Sequence, residues 1–133
     1  LAASRRYLRG RGAVRSVGDL RRHAIVGYIP DLIYYPELDF LTELGVERIA
    51  LASNLVSVQL GFLRNHGGIG ITHDFILPFA PKLKQVLADQ VSFTRSFYLV
   101  RHEGDARVER LARVGEALMA GIRREVARLE GLT

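Results

Sequence analysis

Asn65-His66-Gly67-Gly68-Ile69-Gly70-Ile71 is the stretch that decides how this 133-residue chain folds. Just upstream, residues 54–65 place Val56, Leu60 and Leu63 on one stripe and Leu55, Val58 and Phe62 on another. Apolar stripes on two faces predict a helix packed on more than one side. Gly67 is the expected left-handed closing residue, and residues 69–72 follow as a buried strand. Ahead of the helix, Arg48-Ile49-Ala50-Leu51-Ala52-Ser53-Asn54 reads as a strand over 49–52 and then a polar cap. Strand, helix, glycine turn and strand make one βαβ unit of an open α/β sheet. Ligands of such sheets collect beside the carboxyl ends of strands and the amino ends of helices. The stretch therefore points to a small-molecule pocket and carries no sign of catalysis.

On the amino-terminal side, Ser4 is placed to cap a helix over 5–9 that Gly10 and Gly12 stop. Ala24-Ile25-Val26-Gly27-Tyr28 is a continuous apolar run, as in a strand buried on both faces, and Pro30 ends it. Pro36 opens a short helix with Leu38, Leu41 and Leu44 on one face and Gly45 as its stop. On the carboxyl-terminal side, residues 75–79 form a helical turn before Pro81, and Leu83 and Val86 lie in a short extended stretch. Ser96-Phe97-Tyr98-Leu99-Val100 has the aromatic and β-branched content of a strand. The longest helix is expected over 106–129, where Val108, Leu111, Val114, Leu118, Ile122, Val126 and Leu129 recur every three or four residues. The fold class predicted is α/β: an open mixed sheet flanked by helices, then a returning strand and a long C-terminal helix.

Bulk properties bound the function classes. Apolar content of 48% with 25% charged residues is ordinary for a globular chain. No apolar run reaches the roughly 18 residues of a membrane span, so no membrane partner is expected. Cysteine is absent, which removes disulfides and thiolate metal sites and fits a cytoplasmic location. The chain opens on Leu1 without a signal-like segment, and residue 1 is read as a cut point. Residues 1–22 carry seven arginines against Asp19 alone, a local charge of +6, so the remainder is −1. Such a segment suits an acidic partner or a solvated surface. Glycines interrupt it and no aromatic ladder accompanies it, against nucleic-acid stacking.

No nucleophile elbow, dinucleotide fingerprint or phosphate-binding lysine loop occurs, so the chain is not read as an enzyme and no cofactor is expected. His66 and His73, with Asp74, lack the spacing of known zinc sites, and metal binding is not expected either.

Three segments in register carry a family resemblance. Ala3-Ser4-Arg5-Arg6-Tyr7-Leu8 with Gly12 and Asp19-Leu20-Arg21-Arg22-His23, running into Ile25-Val26-Gly27-Tyr28, resembles one stretch of LysR-type transcriptional regulators. Leu63-Arg64-Asn65-His66-Gly67-Gly68-Ile69-Gly70-Ile71 resembles a second, and Arg95-Ser96-Phe97-Tyr98-Leu99-Val100-Arg101-His102 with the helix after it a third. Thr72-His73-Asp74 stands where many members place a proline. The resemblance implies part of a two-lobed effector-binding domain like the type 2 periplasmic binding proteins. Residues 1–94 would be the second lobe, and residues 95–133 a strand and helix belonging to the first. It implies a homo-oligomer that senses a small molecule and reaches DNA only through a helix-turn-helix outside this chain. A solute-binding lobe of a transporter and an oligomerisation module are the alternatives.

Carried over by position, the effector-binding wall would be Tyr28, Ile29 and Pro30 at a strand end, with Ser53 and Asn54 at a helix start. Unpaired N–H groups at a helix start suit an anionic carboxylate, and a tyrosine adds an aromatic face. Equally, Ser53 or Asn54 could simply cap the helix, and Tyr28 could be a packed strand end. The apolar seam of the last helix is expected to dock on a partner chain or on a longer unit, because leaving it wet costs several kcal/mol at about 25 cal/mol per Å2.

Overall fold

Five short strands form one mixed sheet in the computed structural model, which describes residues 1–132. They are β1 (Ala2–Ser4), β2 (Ile25–Gly27), β3 (Leu51–Ala52), β4 (Ile69–Gly70) and β5 (Leu83–Gln85), in the spatial order β3-β2-β4-β1-β5. β2 runs parallel to β3 and to β4, while β1 is antiparallel to both β4 and β5. Four strands thus share one direction, and β1 is inserted against them. By contacts the chain divides into two compact units, Leu1–Phe93 and Thr94–Thr133, and the sheet lies wholly in the first.

Alternation along the strands sends side chains to two separate cores. Ile25 and Ile69 join Tyr7 of helix α1 (Arg5–Arg11), Leu20 and Leu41 of helix α2 (Phe40–Glu43) in one cluster. Val26 and Leu83 join Leu63 of helix α3 (Val56–Arg64) in another. Leu20, Ile25, Leu63 and Ile69 are essentially fully buried, each worth roughly 1.5–3 kcal/mol of transfer free energy. The sheet is covered on both faces, which is why its strands read as apolar runs.

Helix boundaries follow from local chemistry. The Ser4 hydroxyl accepts the Tyr7 N–H at 3.2 Å and opens α1, and Gly12, at φ +89°, closes it two residues later than expected. In the turn over Val17–Arg22, the Asp19 carboxylate accepts the N–H groups of Arg15 and Ser16 and pairs with Arg22. Those contacts hold its pKa down at about 2.

The close of α3 corrects one expectation. His66, not Gly67, takes the left-handed conformation, at φ +67°. The His66 N–H reaches Leu63 O at 3.2 Å and the Gly67 N–H reaches Phe62 O at 2.8 Å, the paired bonds of a Schellman close. His66 is held there because its Nδ1 lies 2.8 Å from the buried Ser4 hydroxyl. Glycine is required instead at position 68, where a Cβ would lie 2.2 Å from Ala24 O and φ is +154°.

The strands are observed where the apolar runs predict them but are shorter than expected. The chain turns into a short helical turn over Pro30–Leu32 straight after β2, and the ladder stops there. β1 was not expected at all. The strand expected over 96–100 is not formed: the second unit contains a turn over Glu103–Arg107 and helix α4 (Glu109–Glu130), with no strand among its described residues. Without a partner, β propensity has no ladder to join. Leu99 and Arg101 instead lie against Gly115 of α4, where a Cβ would meet their side chains at 3.8 and 3.2 Å. α4 begins three residues later than expected, after Val108. Its seam is open: Leu111, Val114, Leu118 and Ile122 are all exposed, whereas Leu129 is buried.

Candidate functional site at the carboxyl edge of the sheet

Because β2, β3, β4 and β5 share a direction, their carboxyl ends open along one edge. The five residues expected to bind an effector fall on it. Gly27 pairs with Ala52, and that register carries Tyr28 and Ser53 to neighbouring positions just beyond the ladder. The Ser53 N–H extends the pairing by donating to Gly27 O at 3.0 Å.

Asn54 joins the two segments. Its Oδ1 accepts the Ile29 N–H at 3.1 Å, and its Nδ2 donates to Leu32 O at 3.4 Å. The turn opened by Pro30 is thereby fastened to the segment that leads into α3. Ser53 is engaged as well: its hydroxyl accepts the Leu55 N–H at 3.1 Å, and its carbonyl accepts Nε2 of the buried Gln59 at 2.6 Å. These two polar side chains therefore serve chiefly to position backbone.

What the edge offers a ligand is backbone and apolar surface. α3 has no side-chain cap, and the N–H groups of Val56 and Ser57 in its first turn have no acceptor among the described residues. Leu32, Leu55 and Val58 are exposed, and so are Tyr34 and Tyr35 in the loop after the Pro30–Leu32 turn, at 81% and 68%. The two tyrosines were not singled out from sequence. Adjacent tyrosines in the loop after a strand end were the signal. Tyr28 and Ile29 are half-buried, and Pro30 is exposed.

The histidines lie elsewhere. At the opposite edge, the Tyr7 hydroxyl accepts the Ala24 N–H at 2.8 Å and lies 3.3 Å from His23 Nδ1. Partial burial, and then the neighbouring Arg22, lower the His23 pKa below 6.5. A neutral His23 can accept the Tyr7 proton. His73 stacks on Phe75 with ring centroids 4.9 Å apart, and His102 Nδ1 caps the Gly104 N–H at 3.1 Å. No group of three metal-ligating side chains is gathered among the described residues. None of their helices is long and apolar enough to cross a membrane.

Compared with protein families, with curated proteins and with solved structures, the chain gave no match. The class defined by the fold is thus α/β with a five-stranded mixed sheet.

Proposed function

We propose that the first unit is one lobe of the effector-sensing domain of a LysR-type transcriptional regulator, and that an anionic metabolite binds along the carboxyl edge. The observation carrying this reading is the convergence there of the turn after β2 and the unsatisfied start of α3, fastened together by Asn54. Sheet topology supports it. β1 begins, and β5 ends, on that same edge, as the Val86 N–H to Leu1 O bond of 2.9 Å shows. Chain segments crossing to a second lobe would leave from the rim of a cleft.

The carboxylate of an effector would accept the Val56 and Ser57 N–H groups at the positive end of α3, and the ring or chain behind it would lie on the exposed apolar residues. Closing a second lobe over that edge converts binding into a conformational signal. Only an effector that binds one lobe arrangement better than another can do this. DNA would be engaged through a helix-turn-helix borne elsewhere in the protein, with homo-oligomers as the functional form in the cytoplasm. The open seam of α4 favours a role for the second unit in assembly, either on the first lobe or between subunits.

The test is a mobility-shift assay with the full-length gene product on DNA upstream of its own gene, with and without small carboxylates. Effector-dependent binding is expected. A product that ignores DNA and carries a signal peptide would replace the transcriptional reading with transport.

A further inference from the structure

On the far side of the sheet from Tyr28 and Ser53, the first unit holds a groove of about 560 Å3 between α1 and β5. Leu8, Val14, Val86 and Leu87 give it apolar walls, Arg9 and Lys84 give it charge, and no acidic side chain lines it. β5 is the outer strand of the sheet, three places from β2, so the groove lies three strands away from Tyr28 and Ser53 although Val86 and Leu87 follow the carboxyl end of β5.

One of its two charges, Arg9, comes from the arginine-rich opening segment, for which the proposed function has no use. The one acid of that segment, Asp19, is committed to Arg22 and to the backbone of Arg15 and Ser16. Gln85, also in the lining, donates one N–H of its side-chain amide to Asp74 at 3.0 Å. Arg9 and Lys84 are exposed cations without a carboxylate partner among the described residues.

The walls are fixed rather than loose. Leu87 is 7% exposed and sits at φ +55°, a conformation that glycine would adopt with less strain, so the position retains leucine for its side chain in the core. Its carbonyl accepts the N–H groups of Gln90 and Val91 at 3.0 and 2.8 Å. Gln90 Nε2 in turn holds Arg15 O at 2.9 Å, which ties the segment after β5 to the loop after α1. A groove already shaped before binding spends little on ordering.

We propose that this groove is a second ligand site, which takes an organic anion with an apolar body, an aromatic or medium-chain carboxylate. The carboxylate lies between Arg9 and Lys84, and the body rests on Val14, Val86 and Leu87. The volume falls within the usual range for small-molecule sites, and two cations over an apolar floor match that chemistry.

The test titrates 1-naphthoate, and the uncharged 1-naphthalenemethanol, into the 133-residue chain, read by calorimetry and by amide chemical shifts. Naphthoate shifts residues 8–14 and 84–87. The double variant Arg9→Gln/Lys84→Gln weakens it by about tenfold or more, as does removing the ligand's charge. Both substituted side chains are exposed, so the fold should survive, and an unchanged Tm checks this. Equal affinity for naphthalenemethanol overturns the proposal, as does a double variant that binds normally or an acidic peptide that occupies the groove where naphthoate does not. Shifts confined to residues 28–32 and 53–57 overturn the groove while leaving the effector edge intact.

Discussion

Asn54 and Ile29, 25 residues apart in sequence, are joined side chain to backbone at 3.1 Å, and this bond holds the turn after β2 against the segment leading into α3. With the second bond to Leu32 O it makes the carboxyl edge a single surface rather than two loops.

Asn54→Ala removes both bonds. The residue is exposed, so water replaces the lost partners and the cost in stability is about 0.5–1.5 kcal/mol by urea denaturation. The sharper readout is local: hydrogen exchange of the Ile29 amide accelerates while core amides such as Ile69 keep their protection relative to global unfolding.

Ser4→Ala acts at the opposite edge and costs more. Ser4 is 1% exposed, caps α1 and meets His66, so its removal abolishes a cap and leaves a half-buried imidazole nitrogen without its partner. Roughly 1–3 kcal/mol is expected, against about 1 kcal/mol or less for Ser53→Ala, whose hydroxyl serves a half-exposed turn. Paired denaturation curves check the ordering.

Gly68→Ala should unfold the first unit. A methyl group there would lie 2.2 Å from Ala24 O, which is backbone between β4 and β2 and has nowhere to move, at a φ that L residues rarely adopt. A loss of several kcal/mol is expected, visible as a collapsed Tm.

These glycine and serine roles show how far the sequence could be read. Ser4, Gly12, Pro30 and Gly45 act through rigid local rules, and the boundaries they mark were legible. The runs around Ile25, Leu51 and Ile69 announced strands because both faces of the sheet are covered. β1 was invisible because Ala2, Ala3 and Ser4 are small residues whose burial comes from neighbours, not from their own period. Residues 96–100 misled in the other direction: their composition suits a sheet, but no strand of their unit is there to pair with them. Position 66 was missed because the bond that secures a left-handed histidine comes from Ser4, 62 residues away. At the site, the βαβ reading pointed to strand ends and helix starts in general, and the grouping of residues 28–30 with 53–54 came from the family resemblance by position. That Ser53 and Asn54 would be consumed in holding backbone needed coordinates.

Acid weakens the fold through His23. Its folded pKa is lowered from 6.5, so between the two values the unfolded chain binds the proton more readily. The stability this group contributes is complete above about pH 6.5 and is lost as pH falls through the lower folded value. Thermal melts from pH 7.5 to 5 should show Tm falling with acid, and the His23→Gln variant should show a shallower slope. An NMR titration should place His23 below 6.5.

The central claim is that ligand is held at the carboxyl edge by the start of α3 and the turn after β2. Amide chemical-shift mapping of the 133-residue chain against a panel of small carboxylates tests it most directly. The account predicts that at least one carboxylate shifts Ile29, Leu32, Val56 and Ser57 together, and that Asn54→Ala weakens that response. Shifts absent from those amides for every carboxylate, or present and indifferent to the Asn54 change, would contradict it.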